Sequence, residues 1–371
     1  MKYYIIAGEA SGDLHGSNLM RQIKEKDPKA EFRFWGGDLM SDVAGSPPVK
    51  HYRDLAFMGF FEVVANLKTI LRNIKFCKED LVQWDPDVLV LIDYPGFNLR
   101  IAKFARENGI RVNYYISPQI WAWKQKRVYD IQRDVDRMLV ILPFEKAFYR
   151  DFEMEVDFVG HPLLDAIEGY QKEDEQVVRE SLGLDDRPVI ALLPGSRKQE
   201  ISTLLPLILS LVKNYPEFQF VVAGAPSQDE EFYRTLIGDH PVRLVKNSTY
   251  RLLSLAHAAI VTSGTATLET ALFRVPEVVV YKGNPISYQI AKRLVKVKYI
   301  SLVNLIMDRE VVTELIQSDV NPRKLKSELD KILDPSHRAK LSEDLDDLYH
   351  KLGGIGASEH AATIIVEEAS K

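Results

Sequence analysis

Cysteine is almost absent from this chain of 371 residues, Cys77 being the only one. An intramolecular disulfide is thereby excluded, cysteine-ligated zinc is disfavoured, and a reducing compartment fits. Strong charge of one sign is missing too. With 48 Lys and Arg against 53 Asp and Glu, the net charge of −5 gives no global pull on nucleic acid, so any polyanion site must be a local basic cluster. No apolar run approaches the roughly 18–20 residues that span a bilayer, so a membrane is expected to be touched from one side only. Met1–Ala7 runs straight into a glycine turn, too short and too soon interrupted for a signal peptide, and secretion is not expected. Solenoid repeats and low-complexity segments are lacking as well.

What the chain has is length and rhythm. A chain of 371 residues exceeds what one core usually supports, so two domains are expected. Short apolar runs alternate with longer helical patterns: Tyr3–Ala7, Phe32–Trp35, Val88–Ile92, Val112–Ile116 and Arg137–Ile141, then Val189–Leu193, Phe218–Ala223, Ala259–Thr262 and Pro276–Tyr281. That alternation predicts a parallel sheet wrapped by helices, built twice. The rhythm stops near Val159-Gly160-His161-Pro162, and a charged stretch from Glu168 to Arg187 follows. The first domain is therefore drawn over residues 1–165 and the second over 166–371, with a final helix able to fold back onto the first.

Three turns sit between a strand and a helix start: Gly8-Glu9-Ala10-Ser11-Gly12-Asp13, Pro194-Gly195-Ser196-Arg197 and Ser263-Gly264-Thr265-Ala266-Thr267. Such turns aim backbone N–H groups and a helix dipole at one spot, which suits phosphate or a developing oxyanion. In the second turn glycine admits close approach, Ser196 can cap the helix, and Arg197 supplies a cationic fork. In the third, Ser263, Thr265 and Thr267 add hydroxyls, and Glu269 can accept both hydroxyls of a ribose. Ordinary capped turns are the competing account, but two together favour a nucleoside diphosphate. The first turn differs: it is neither a dinucleotide fingerprint nor a P-loop, and Glu9 and Asp13 would repel phosphate. It suits sugar hydroxyls or a proton acceptor, and His15 follows as a second candidate base.

Asp93 closes the run Val88–Ile92, where a carboxylate beside apolar strands acquires a raised pKa that suits a general base; a helix cap is the alternative. Trp121 and Trp123 adjoin Lys124, Lys126 and Arg127, a combination able to hold a sugar face and an anion, or else a helix with tryptophans inward and cations in water. From Phe57 to Phe76, Phe60, Val64, Leu67, Leu71 and Ile74 form an apolar stripe widened by Phe57 and Phe61, beside the basic Lys68, Arg72 and Lys75. That pattern fits a helix lying in an anionic headgroup layer, or one covering a core.

Taken in order, these residues resemble the bacterial lipid A disaccharide synthase family of inverting glycosyltransferases. The resemblance spans nearly the whole chain: Ala7–Asp13, Met58-Gly59-Phe60 with Glu62-Val63, Ser117-Pro118 with Trp121-Ala122-Trp123 and Gln125-Lys126-Arg127, Leu142–Tyr149, Gly160-His161, Leu192–Arg197, Ser263–Ala266 with Leu268-Glu269, Ala291–Lys296, and Ser301-Leu302 with Asn304-Leu305. It implies an α/β GT-B fold, in which two Rossmann-like parallel-sheet domains face each other across a cleft and C-terminal helices return to the N-terminal domain. It implies a reaction of UDP-2,3-diacylglucosamine with the 6-hydroxyl of 2,3-diacylglucosamine 1-phosphate. UDP would lie against Gly195, Ser196, Arg197, Ser263, Gly264, Thr265, Glu269 and Asn304, with Glu9, Ser11, Gly12 and the Asp93 region on the acceptor side. The implied setting is the cytoplasmic face of the inner membrane, reached peripherally, without cofactor, metal or nucleic acid and with room for a homodimer. One position departs from the family pattern: the acid expected three residues after Asp93 is Gly96. Asp93 is the first choice of base, with Glu9 and His15 behind it. The rivals are another UDP-sugar enzyme on the same fold, such as an epimerase, and a catalytically silent nucleotide-binding scaffold.

Overall fold

A computed structural model describes residues 1–55, 67–170, 173–284, 288–289, 293 and 297–370. Phe57, Phe60 and Phe61 of the expected lipid-facing stripe lie outside the described residues, as do Met58–Val63 and most of Ala291–Lys296.

The chain divides into two compact units, the first comprising Met1–Asp165 and Leu352–Lys371, the second Ala166–Lys351. In the first unit the strands are β1 (Lys2–Ala7), β2 (Glu31–Gly36), β3 (Lys50–His51), β4 (Val88–Ile92), β5 (Arg111–Tyr115), β6 (Arg137–Val140) and β7 (Asp157–Phe158), joined in the order β3-β2-β1-β4-β5-β6-β7. All pairs are parallel, with Ile5 of β1 opposite Phe34 on one side and Val90 on the other. Tyr3 to Ala7 and Val88 to Leu91 are wholly buried, as expected of strands covered on both faces by helices. The order reverses direction between β1 and β4, and crevices at such switch points are where open α/β sheets bind ligands.

The second unit repeats the plan with β8 (Val189–Leu193), β9 (Gln219–Gly224), β10 (Val242–Lys246), β11 (Ala256–Thr262), β12 (Glu277–Tyr281) and β13 (Thr313–Ile316), in the order β10-β9-β8-β11-β12-β13. Its core has two layers. Ile190, Leu192, Phe220, Val222 and Ile260 pack on one face, while Val189, Ala191, Val221, Ala259 and Val261 pack on the other. Here the switch point lies between β8 and β11.

The second domain does not run to the end of the chain as drawn from the sequence: residues 352–371 belong to the first unit. The helix Ala357–Ala369 buries Ala361, Ala362 and Ile365, and Asp165 fastens its start by accepting from the backbone N–H of Gly356 at 2.7 Å and of Ser358 at 2.8 Å. Lys26, at the end of the helix Ala10–Lys26, pairs with Glu359 at 3.4 Å. The preceding helix, Pro335–Lys351, stays with the second unit.

Candidate active site

At the switch point of the first unit, the turns after β1 and β4 lie side by side. Asp93 and Tyr94 both take the left-handed backbone conformation, with φ of 43° and 48°. Two consecutive non-glycine residues there are strained, and strain of this kind persists only when the surroundings enforce it. The enforcement is visible. The carbonyl oxygen of Asp93 accepts from Tyr114 Oη at 2.6 Å and from Asn98 Nδ2 at 2.7 Å, and the Asp93 N–H donates to the Tyr115 carbonyl at 3.1 Å. The Tyr94 ring lies so close over Gly8 that a Cβ there would sit 2.3 Å from it, which is why the first turn needs glycine at that position. Burial, and next the charge of Glu9, push the Asp93 acid up to about 7, partly offset by a hydrogen bond from the Tyr94 backbone.

The other residues expected in this turn separate by role. Asp13 is buried and accepts from the N–H groups of Gly37 (2.7 Å), Leu39 (3.1 Å) and Met40 (3.1 Å), so it caps the helix Asp38–Ala44. Gly12 is buried, and a Cβ on it would meet Ala7 Cβ at 3.1 Å, so glycine here lets the helix approach the strand closely. Ser11 is exposed in the first helical turn. His15, taken from the sequence as a candidate base, is buried instead, and burial pushes its imidazole down to about 4 against an opposing pull from Asp165. It shares this interior with His161, held at about 3 by burial and by His15.

The paired tryptophans part company. Trp121 is buried with its ring edge-on to Phe144 at 4.9 Å, whereas Trp123 is exposed beside Lys124, Lys126 and Arg127. The described part of the expected lipid stripe divides as well. Along the helix Leu67–Trp84, Ile74, Cys77 and Leu81 join the core, while Leu71 and Phe76 are 52% and 43% exposed, near the exposed Lys68, Arg72 and Lys75. Ile74 therefore leaves the stripe for the core, because a helix on a sheet must bury one face.

At the switch point of the second unit lies a cavity of about 330 Å³. Gly195 and Ser196 line it from the turn after β8, and Ser263, Gly264, Thr265 and Glu269 from the turn and helix after β11. Gly195, at φ 106°, has a backbone that side chains rarely adopt. Ser263 Oγ donates to the Ile300 carbonyl at 2.8 Å, which fixes the turn. Burial raises the Glu269 acid, offset by Tyr250 Oη donating to it at 3.1 Å. Arg197 is not among the lining residues; it is 68% exposed, its guanidinium 3.2 Å from Oε1 of the lining residue Glu200.

Asn304 is not among the lining residues. It is fully buried; Nδ2 donates to the Val312 carbonyl and to Glu314 Oε1, both at 2.8 Å, and Oδ1 accepts from the N–H of Val311 at 2.7 Å and of Val312 at 3.0 Å. All its hydrogen-bonding capacity is spent inside the protein, so it supports the loop that carries Ile300 and does not reach a ligand. The sequence reading also missed four contributors to the cavity: Glu200, the segment Ala223–Pro226 after β9, Thr249 and Thr262. The Gly224-Ala225-Pro226 turn was a usable signal, since it follows an expected strand in the same way as the other turns.

Sheet order, glycine turns at both switch points and a nucleotide-sized cavity at one of them define a two-domain α/β enzyme of the GT-B type. Solved structures share the architecture. The UDP-GlcNAc 2-epimerase of Neisseria meningitidis bound to UDP-GlcNAc superposes with a TM-score of 0.66 at 14% identity, covering 99% of each chain. The glycotransferase of kitacinnamycin does so with a TM-score of 0.67 at 14% identity, covering 99% of this chain and 98% of that one. Sequence comparison goes further than the fold. The family model for lipid-A-disaccharide synthetase matches residues 3–367. The lipid-A-disaccharide synthase of Syntrophus aciditrophicus is 43% identical over 370 residues, covering 97% of this chain and 96% of its own length. That of Geobacter sulfurreducens is 40% identical over 375 residues, covering 99% and 97%. The chain belongs to the lipid-A-disaccharide synthase family, whose members are glycosyltransferases.

Proposed function

We propose that the protein transfers the sugar of UDP-2,3-diacylglucosamine to the 6-hydroxyl of 2,3-diacylglucosamine 1-phosphate, giving the β-1,6-linked disaccharide 1-phosphate and UDP on the way to lipid A. The observation that carries this reading, within a chain of this family, is the contrast between its two switch points. One presents a glycine and hydroxyl cradle for a diphosphate, the other an acid raised to about 7 on an enforced turn.

Each residue then has a task. Backbone N–H groups of Gly195, Ser196, Gly264 and Thr265, with the Arg197 fork, hold the UDP diphosphate and stabilise its growing charge as the glycosidic bond breaks. Glu269, oriented by Tyr250, accepts the ribose hydroxyls. Asp93 takes the proton of the acceptor 6-hydroxyl as its oxygen attacks the anomeric carbon on the side opposite the leaving UDP, which inverts that centre. Glu9 keeps the Asp93 acid high and, with Ser11, meets acceptor hydroxyls. Gly96 leaves the place of the family's second acid open, since a Cβ added there would meet nothing within 4 Å. Asp93 therefore carries the base role without that acid.

The acyl chains of both substrates call for an apolar surface. Leu71 and Phe76 beside Lys68, Arg72 and Lys75 support peripheral contact with an anionic bilayer, and among the described residues no helix is long and apolar enough to cross one. We place this contact on the cytoplasmic face of the inner membrane, with Phe57, Phe60 and Phe61 expected to extend it. Mass spectrometry of products from synthetic diacylated donor and acceptor tests the reaction. UDP and a β-1,6-linked disaccharide 1-phosphate are expected; an epimerised nucleotide sugar, or no UDP release, would overturn it.

A further inference from the structure

Beyond β5 the chain is pinned and then released. Trp121 is held in the core against Phe144, while a 3-10 turn over Gln125–Arg127 carries the residues after it to the surface. The N–H of Arg127 donates to the Lys124 carbonyl at 2.9 Å. That bond closes a single turn and keeps Lys124 and Arg127 within one turn of each other. Lys124 Nζ sits 3.9 Å from the centre of the exposed Trp123 ring.

The two cations lie next to each other at the surface. In the same unit Arg33, Arg106 and Arg133 have carboxylates, Asp80 at 2.8 Å, Asp136 at 2.7 Å and Asp134 at 2.6 Å, whereas Arg21 and Arg111 bond to neutral oxygens of Asn18 and Glu368. Among the described residues neither Lys124 nor Arg127 has one. They act on each other instead, since the Lys124 ammonium is pushed down first by partial desolvation and then by the Arg127 charge. The Arg127 charge also reaches Tyr114, the residue whose hydroxyl holds the Asp93 carbonyl at 2.6 Å. Asp93 follows β4 and this segment follows its parallel neighbour β5, so both leave the sheet at its carboxyl edge.

We infer that Lys124 and Arg127 clamp the phosphate monoester of the acceptor, with Trp123 covering the adjoining sugar face. This rests on the reading of the acceptor as a sugar 1-phosphate. Two fixed positive charges match a dianionic monoester, the guanidinium offering a two-pronged contact and the ammonium a point charge. The sequence reading grouped Lys124 with Lys126 and Arg127 beside the tryptophans, and its place over the Trp123 ring picks it out from that group.

The experiment compares full-length wild type, Lys124→Ala and Arg127→Ala on diacylglucosamine 1-phosphate and on the same acceptor without phosphate. Both side chains are solvent-accessible, so the fold is expected to survive. The KM for the phosphorylated acceptor should rise about tenfold or more in each variant, with the donor KM and all constants for the dephosphorylated acceptor unchanged. Equal losses on both acceptors, or no change, would overturn the clamp. Binding of glucosamine 1-phosphate, followed by tryptophan fluorescence, gives a second readout free of turnover. If wild type binds it and the variants do not, the clamp stands even where no disaccharide forms; the reaction proposed above then falls alone. Phosphatidylglycerol vesicles separate a lipid headgroup from the substrate. Weaker vesicle binding by the variants with an unchanged acceptor KM would assign the pair to the membrane surface and overturn the inference.

Discussion

The two units are built alike and equipped oppositely. Each is a parallel sheet whose strand order reverses once, and each presents two turns at that reversal. In the second unit both turns are open and hydroxyl-bearing and line a cavity. In the first they carry Glu9 and Asp93, a tyrosine ring fills the space over the glycine, and the backbone is held in a strained form. In the proposed reading the same topology supplies two places for chemistry, and the side chains on the turns decide whether a place holds an anion or removes a proton.

The contrast breaks most sharply at Asp93. Asp93→Asn should lower turnover by about a thousandfold while leaving the donor KM and the affinity for UDP near wild type. With the Asp93 acid at about 7, the wild-type rate should climb with pH toward neutrality and level off above it, because the base works only when deprotonated. A near-normal rate in Asp93→Asn would end its role as base. In the second unit, Arg197→Ala should weaken UDP binding by about ten- to a hundredfold, measured by calorimetry, without moving that pH limb. A shifted limb would mean that the two sets of turns do not divide the work.

A milder change tests whether strain at Asp93 serves the reaction. Tyr114→Phe removes one of two donors to the Asp93 carbonyl but keeps the ring in the core. Turnover should fall about tenfold with the donor KM unchanged, and Asn98 should preserve the fold. Unchanged turnover would show that the turn holds its shape without the clamp.

Much of this contrast was legible in the sequence, and what was not has physical causes. Interior strands such as β1, β4 and β8 announce themselves as apolar runs because both faces are buried. The strands the reading missed, β3, β7, β10 and β13, are the edges of the two sheets. In β10 only Val245 of Val242–Lys246 is buried, and Arg243 and Lys246 interrupt the apolar residues, so no continuous run marks it. The glycine turns were legible because close approach and positive φ leave a residue signature. The fates of Asp13, His15 and Asn304 were not. Polar residues near a motif look alike whether they face a ligand or cap a distant helix, and only the partners, Gly37 for Asp13 and Val312 for Asn304, tell the two apart.

The last comparison concerns a buried acid in each unit. Glu145 is buried yet accepts from the N–H of Ile141 at 3.2 Å and of Leu142 at 2.9 Å, and burial still pushes it up to about 7. Glu277 is 1% exposed with no partner for either oxygen among the described residues, and burial alone holds it well above the carboxylate range. Between the unfolded value of about 4.3 and about 7, the native state keeps a proton on Glu145 that the unfolded chain has released. Stability must therefore fall as pH rises through that window and lie level above it. Glu145→Gln removes that slope, so its unfolding free energy should gain on wild type from pH 5 to about pH 7 and then level off, by about 2–3 kcal/mol. Amide exchange at Ile141 and Leu142 should slow in step. Glu277→Gln should gain on wild type over the same range without levelling off, because an acid without donors stays protonated in the native state while the unfolded chain has released its proton. A gap that widens equally in both variants would mean that the two N–H donors do nothing to bring Glu145 within reach of neutral pH.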